Sequence, residues 1–481
     1  MMRAKGIAYD VAERTRGVVA GGIGLMLQLA RRVALVEEID RSVELLKVHL
    51  PYHESDHVLN IAFNVLAGGH CLEDLERLRQ DEVYLAALGA ERIPDPTTAG
   101  DFCRRFSDSD VEDLMEATNR CRLRVWQEQP KEFFREAIID ADGTLAPTTG
   151  KCKEGADFAY NGVFGYHPLL ISLANTQEPL FLMNRSGNRP SHEGAAGYFD
   201  RAISLCREAG FRRVLLRGDT DYSQTRHLDR WDASGVRFLF GMPRSQALYE
   251  KLPEIPERDW RALRRPRKHV LKTSPRRRPK RSKDEVVKRR RFKTKRTEGE
   301  LVASFAYRPA ACAKPYRVIV LTKNLSWMRG EEMLCDDLMH FFYITNDWKT
   351  PDAELVLLAN GRCDQENINA QLKSGGVRAM QMPLGDLVSN GAYMVMVSLA
   401  WTLKAWFALL LPTRGRWKDQ HRAEQHAVLR MEFRSFLLNF MLVPVQVVRT
   451  GRRLIFAGPR TASVRGAGNV DLGAARCPRH R

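Results

Sequence analysis

The sequence lacks paired cysteines, and it lacks an apolar leader. Nine cysteines are scattered along the 481 residues, none of them in a Cys-x-x-Cys pair, and their number is odd. This pattern excludes a zinc ribbon and a disulfide-framed secreted fold, and it is typical of reduced thiols in the cytoplasm. The first residues, MMRAKGIAYDVAERTRG, contain no apolar stretch of the kind that a secretory signal requires.

Long hydrophobic runs are also scarce. The one long apolar run covers residues 391–411 and carries Lys404 near its middle. Its length would be enough for a membrane span, but a charge at mid-span is costly in lipid. We therefore predict a buried helix of a soluble protein and no membrane partner.

Positive charge is abundant but confined to one segment. The chain has 76 Lys and Arg against 58 Asp and Glu, a net charge of +18. Residues 261–296 alone hold 19 basic residues and two acids, so this segment carries +17 of the total. Such a local excess indicates an anionic partner, most commonly nucleic acid, although a solvated loop has the same composition.

The first part of the chain has the apolar spacing of helices. Leucines at 72, 75 and 78 repeat on one face, and the sequence PDPTT at 94–98 contains a helix stop and a helix start. We predict a helical N-terminal domain over residues 1–130, with a DNA-binding helix-turn-helix or a plain packing bundle as the two alternatives.

The pattern changes after residue 130 to short apolar strands that alternate with helices. This alternation predicts an α/β core, with its first part at 131–242 and its second part, with C-terminal helices, at 340–457. Between them lies a basic, β-rich insertion at 243–339, and a Gly- and Arg-rich tail at 458–481 is predicted to be disordered.

Three acids stand where an α/β fold places catalytic groups. Asp142 ends the apolar run 137–142, and Asp219 directly follows the apolar run 213–216. The carboxyl edge of a sheet is the usual location of such sites. Asp140 shares a strand face with Asp142 and is the alternative first acid, and each acid taken singly also fits a turn or a helix cap.

The third acid, Glu366, lies in a predicted helical stretch from 353 to 373. Arg362, Asn369 and Lys373 fall within about 60° of Glu366 on a helix, so one carboxylate has two cations and an amide beside it. An ordinary surface ion pair between Arg362 and Glu366 is the alternative.

Three carboxylates without a histidine or cysteine cluster suit hard divalent ions such as Mg²⁺ or Mn²⁺. Cleaving and rejoining a phosphodiester by in-line attack uses two such ions about 3.5–4 Å apart. Asp142, Asp219 and Glu366 are therefore the candidate metal ligands.

Several short motifs occur in an order that resembles bacterial insertion-sequence transposases of the DDE class. They are DADGT at 140–144, GKCKEGA at 150–156, YNG at 160–162, GYHPL at 165–169, RSGN at 185–188, LRGD at 216–219, FYITN at 342–346 and RCDQE at 362–366. The resemblance covers roughly residues 50 to 410 and implies an RNase H-like core with a β-strand insertion between the second Asp and the Glu.

Carried over to this chain, the resemblance implies that Asp142, Asp219 and Glu366 are the catalytic acids. The family signature spaces a Tyr, an Arg, the Glu and a Lys, and here Arg362, Glu366 and Lys373 match it while Ala359 replaces the Tyr. The resemblance therefore does not imply the Tyr contact to DNA for this chain.

The resemblance further implies cleavage at element ends and transfer of the 3′-hydroxyl to target DNA, with two Mg²⁺ ions that Mn²⁺ can replace. Terminal inverted repeats, target DNA and a homodimer or larger assembly are the implied partners, in the nucleoid. The DNA contacts would include Arg362, Lys373 and basic-segment arginines Arg276, Arg277, Arg278, Arg289, Arg290 and Arg291.

In relatives an aromatic of the insertion stacks on an unpaired base; Trp260 and Trp327 are candidates here, with a buried structural role as the alternative. Two other functions stay open: an inactive or domesticated DNA-binding copy, and an RNase H-like nuclease without strand transfer.

Overall fold

The computed structural model describes residues 17–265, 300–324, 338–413, 415–416, 418–450 and 453–457. The six arginines at 276–278 and 289–291, Trp327 and the tail at 458–481 lie outside the described residues. Their predicted roles remain predictions.

The N-terminal region is helical after a two-residue strand, β1 (Gly17–Val18). Its helices are α1 Ile23–Arg32, α2 Leu35–Ser42, α3 Glu54–Leu66, α4 Leu75–Arg79, α5 Glu82–Leu88, α6 Pro96–Cys103 and α7 Asp108–Gln127. The start predicted at 94–98 is observed: Asp95 caps α6 by accepting from the Thr98 amide at 2.9 Å, and Pro96 follows at the first helical position.

The centre of the molecule is a mixed sheet. Its core strands are β2 Ala137–Gly143, β6 Leu169–Leu173, β7 Glu178–Met183, β8 Val214–Gly218 and β9 Arg237–Met242. They stand in the order β7-β6-β2-β8-β9, with β2, β8 and β9 parallel and β6 antiparallel to β2. This is the strand order of an RNase H-like core, and it confirms the predicted α/β class.

Short strands and helices connect these core strands. Between β2 and β6 lies a small sheet of β3 Ala146–Pro147, β4 Asp157–Phe158 and β5 Phe164–Tyr166. Helix α8 (Ala195–Ala209) joins β7 to β8, and α9 (Leu228–Ala233) joins β8 to β9. Helix α10 (Gln246–Tyr249) follows β9.

The inserted strands extend the core sheet and do not form a sheet of their own. They are β10 Arg261–Ala262, β11 Glu300–Tyr307, β12 Tyr316–Asn324 and β13 Leu338–Thr345. β13 pairs antiparallel with β9, and β12, β11 and β10 follow in turn, which gives nine strands. Residues 266–299, which contain most of the basic segment, connect β10 to β11, the outermost pair of strands.

The helical stretch predicted at 353–373 is two helices, α11 (Asp352–Asn360) and α12 (Cys363–Lys373). At the break the Arg217 guanidinium donates to the Leu358 carbonyl at 2.6 Å. A Cβ at Gly361 would lie 2.7 Å from Arg217 Nη1, so the glycine leaves room for that side chain. A contact between residues distant in sequence therefore lies at the point where the helix is broken.

The long apolar run forms α13 (Leu387–Leu409), which packs against α3, α7 and β7. Among the described residues it is the one helix long and apolar enough to cross a membrane, and its apolar window is entirely buried inside the protein. Lys404 Nζ donates to the Leu429 carbonyl at 2.9 Å and lies 3.9 Å from the centre of the Trp401 ring. These contacts give the Lys404 side chain partners inside the fold.

The C-terminal elements complete the fold. They are α14 Lys418–Leu429, α15 Phe433–Phe436, β14 Val445–Thr450 and β15 Arg453–Ala457. β14 pairs with both β1 and β15, so both ends of the described chain meet in one small sheet. Single 3-10 turns lie at Leu72–Asp74, Lys131–Arg135, Thr220–Tyr222, Thr225–His227, Leu252–Glu254, Glu257–Asp259 and Ala379–Gln381, with a π turn at Leu437–Met441.

Candidate active site

Asp142 lies near the carboxyl end of β2 and is largely buried. Its Oδ2 accepts a hydrogen bond from Asn369 Nδ2 at 2.9 Å and lies 3.7 Å from Arg362 Nη1. Both partners belong to the segment of α12, so this helix faces the end of the strand. The two elements are joined by polar contacts that the apolar pattern alone does not reveal.

Asp140, the alternative first acid, is already fully engaged. Its two carboxylate oxygens accept from Arg217 Nε and Nη2, both at 2.7 Å, in a buried bidentate pair. Arg217 is the register partner of Asp140 on the parallel strand β8. Asp140 therefore has a structural partner, whereas Asp142 faces α12.

Asp219 follows β8 directly, beside the end of β2. Its Oδ1 accepts from the Asp221 amide at 3.0 Å, which fixes the turn after the strand. Burial raises the pKa of Asp219 above its ordinary value, while the Asp221 amide and the Arg362 charge oppose that rise. The predicted position at the sheet edge is observed.

Glu366 lies on α12 with its side chain 58% exposed. Arg362 Nη2 lies 3.5 Å from Glu366 Oε1, so one guanidinium lies between Glu366 and Asp142. One helical turn beyond Asn369, Lys373 Nζ donates to Thr144 Oγ1 at 3.3 Å. The predicted helix face therefore points at the residues that follow β2.

The electrostatics of the cluster are those of crowded carboxylates. Burial raises the pKa of Asp142 to about 7, and the nearby charges of Asp219 and Glu366 add to the rise. Arg362 and the Asn369 amide oppose it. A cation placed among these groups would offset the repulsion and favour the ionised forms.

The donor set fits a hard divalent ion. Asn369 Oδ1 is a buried oxygen that has no hydrogen-bond partner among the described residues, and it belongs to the side chain that contacts Asp142. An amide oxygen beside carboxylate oxygens is a ligand set of the Mg²⁺ type. In the described part of the chain the three acids are not within 4.8 Å of one another, and Arg362 lies between two of them.

An open cleft of about 500 Å³ adjoins Asp219 and Arg362. Its walls include Arg244, Phe341 and Tyr343, none of which was predicted from the sequence to have a role. Phe341 and Tyr343 are two residues apart on β13, a spacing that puts both on one strand face and could have drawn attention to them. Ala359 lines the same cleft, where the family signature has its Tyr.

Of the two candidate tryptophans, Trp260 is described. It is partly buried and packs against the main hydrophobic core. This environment fits the structural role that was the alternative to stacking on a base.

Comparison with known proteins assigns the family. A family model described as "Transposase DDE domain group 1" matches residues 16–465, nearly the whole chain. No curated protein matches the sequence. The cryo-EM structure of the piggyBac transposase synaptic complex with hairpin DNA aligns over 97% of this chain and 90% of that chain, at 10% identity and a TM-score of 0.38.

The two folds overlap only loosely, whereas the family model covers nearly the whole chain. The chain belongs to the family "Transposase DDE domain group 1" and is a DNA transposase of the DDE class.

Proposed function

We propose that Asp142, Asp219 and Glu366 are the catalytic acids of this transposase and that they hold two Mg²⁺ ions, for which Mn²⁺ can substitute. DDE transposases use divalent metal ions, which supply a charge that activates an attacking hydroxyl and stabilises the leaving oxygen. The observation that carries the assignment is the contact of Asp142 with Asn369 and Arg362, beside Glu366 on the same helix. Asn369 Oδ1 would add a neutral oxygen ligand.

The two cations of α12 would act on the DNA. With ions bound, the carboxylates no longer need Arg362 as their counter-charge, and its planar guanidinium can bind a phosphate near the cut. Lys373 is bonded to Thr144 and lies further along α12, where it would contact the DNA backbone. Together they would orient the scissile strand without a proton transfer of their own.

The substrate would be the two ends of an insertion sequence, cut to free a 3′-hydroxyl that then attacks target DNA. The helical N-terminal region would read the terminal inverted repeats, and the basic segment would neutralise phosphates. Because two ends must be joined together, we expect a homodimer or larger assembly on DNA, in the nucleoid of the cytoplasm.

The test uses the full chain with a labelled terminal-repeat duplex and Mg²⁺. We expect nicking at the repeat and joining into a supercoiled target, and both should disappear in Asp219→Ala. Asp221→Asn is the matched control, since Asp221 is an exposed acid two residues away. Duplex binding without any nicking would identify an inactive DNA-binding copy, and nicking without joining would identify a nuclease.

A further inference from the structure

A separate cluster of side chains that can bind metal lies at the start of α3. One ring nitrogen each of His49 and His53 and a carboxylate oxygen of Glu54 lie within 4.8 Å of one another. It is the one such group of three among the described residues, and it shares no residue with the acids at the sheet edge. His53 is the residue before α3, and Glu54 is the first residue of the helix.

Glu54 is held in a fixed orientation. Its side chain is only 1% exposed, and its Oε1 accepts from the backbone amides of Leu45 and Leu46 at 3.1 and 2.9 Å. The other oxygen, Oε2, lies 3.2 Å from His49 Nδ1. A carboxylate oriented by backbone donors, with its second oxygen directed at an imidazole, has the arrangement of a metal ligand supported by its surroundings.

The two imidazoles are arranged in parallel on the open side of the cluster. Their ring centres are 5.4 Å apart with an angle of 12° between the planes. Both residues are exposed, so an ion can reach them from solvent. The hydrogen bond to Glu54 orients the His49 ring, while His53 caps α3 through its backbone bond to Asp56 and stacks its ring on that of His49.

We propose that His49, His53 and Glu54 form a binding site for a zinc-class divalent cation. Two imidazole nitrogens and one carboxylate oxygen are a donor set that Zn²⁺ prefers, whereas Mg²⁺ prefers oxygen donors alone. Three protein ligands leave a fourth tetrahedral position for water. The acidic side chains of Glu54 and Asp56 in the first turn of α3 counter the repulsion between a cation and a helix N-terminus.

Such an ion would tie the connection between α2 and α3 to the first turn of α3. Residues 43–53 have no helix or strand; Leu45 and Leu46 pack against the core and donate their backbone amides to Glu54. A bound cation would join His49, within this connection, directly to the helix. The role is structural, and it is independent of the metal chemistry proposed for the sheet edge.

The test measures zinc binding to the full chain, free of any histidine tag and with Mg²⁺ in excess. We expect one Zn²⁺ retained per chain after gel filtration, and a higher melting temperature with Zn²⁺ than without. Co²⁺ in place of Zn²⁺ should give the visible absorption of a four-coordinate site. Absence of Zn²⁺ from the wild-type protein overturns the proposal.

Variants locate the site. His49→Ala and His53→Ala should weaken binding by more than the roughly 10- to 100-fold typical of losing an outer partner of a metal site. His70→Ala, an exposed histidine outside the cluster, and Asp219→Ala, at the proposed catalytic site, should bind as the wild type does. Because both imidazoles are exposed, far-ultraviolet circular dichroism should be unchanged; unaltered zinc affinity in His49→Ala and His53→Ala contradicts the assignment.

Discussion

At the scale of single residues, two aspartates on one strand face have different environments. Asp140 is paired with Arg217 through two hydrogen bonds in the interior. Asp142, two residues on, contacts Asn369 and lies among other acids. The first carboxylate therefore has a bidentate cationic partner, whereas burial raises the pKa of the second even though Arg362 lies 3.7 Å away.

Substitution should separate these two roles. Asp140→Ala leaves the buried Arg217 charge without its partner, so we expect a loss of about 3–5 kcal/mol in the free energy of unfolding. Asp142→Ala removes a carboxylate whose ionised form is disfavoured by burial, so its loss of stability should be smaller while nicking is abolished. Urea unfolding in metal-free buffer compares the two variants. Equal losses in the free energy of unfolding would contradict the structural role of Asp140.

A second residue-scale prediction concerns Gly361. A Cβ there would lie 2.7 Å from Arg217 Nη1, so Gly361→Ala must displace the guanidinium that holds Asp140. We expect a destabilisation of about 1–3 kcal/mol, as for other overpacked sites. Gly385→Ala is the control, since no described atom lies within 4 Å of its added Cβ. Thermal unfolding that shows the same change in both variants would count against this reason.

The sequence located the strand ends that carry Asp142 and Asp219 better than it located the residues around them. Asp142 and Asp219 follow apolar strands, and strand ends can be located by local pattern. The choice between Asp140 and Asp142 depends on Arg217, 77 residues away, so no local pattern could make it. The cleft wall of Phe341 and Tyr343 exists because β13 pairs with β9 across the whole insertion.

At the scale of elements, α13 has the length of a membrane span and lies buried inside the protein. Burial lowers the pKa of Lys404 from its ordinary 10.5 to about 7. Its hydrogen bond to the Leu429 carbonyl reaches α14, so the lysine joins two helices. The helix thereby carries one group whose charge depends on pH within the neutral to alkaline range.

Lys404→Met tests this explanation. Between about pH 7 and 10.5 the unfolded chain binds a proton that the folded chain does not, so wild-type stability attributable to Lys404 rises with pH across that window. The variant lacks this contribution, so its advantage over wild type should be largest below pH 7 and shrink as pH rises. Unfolding by urea at several pH values measures it, with the exposed Lys418→Met as control. A difference that does not vary with pH would refute the explanation.

At the scale of the whole molecule, the residues on either side of residues 266–299 are hydrogen-bonded to each other. The Leu263 amide donates to the Glu300 carbonyl at 2.8 Å, and Arg265 Nε donates to Glu300 Oε2 at 2.5 Å. β10 and β11 are paired antiparallel just before this point. The described residues on either side of residues 266–299, Arg265 and Glu300, therefore lie next to each other.

A chain in which a short Asn-Gly turn replaces residues 266–299 should fold as the wild type does, because that turn suits a hairpin. Its affinity for duplex DNA should fall, and its salt dependence should flatten by about 0.9 in log–log slope for each phosphate that the protein no longer neutralises. A full-length control has serine at Arg276, Arg277, Arg278, Arg289, Arg290 and Arg291. Binding titrations over a range of salt would refute the role if the slope were unchanged.

The continuous sheet also sets the distance between Asp219 and the start of the basic segment at β10. Asp219 directly follows β8. β10 lies five strand spacings away from β8, with β9, β13, β12 and β11 between them. At about 4.8 Å each they span about 24 Å. With a rise of about 3.4 Å per base pair, this is about seven base pairs of duplex. DNA phosphates that contact the protein beside β10, where the basic segment starts, should therefore lie about seven base pairs from the bond that is cut. The hydrogen bonds between the strands of the protein set this distance.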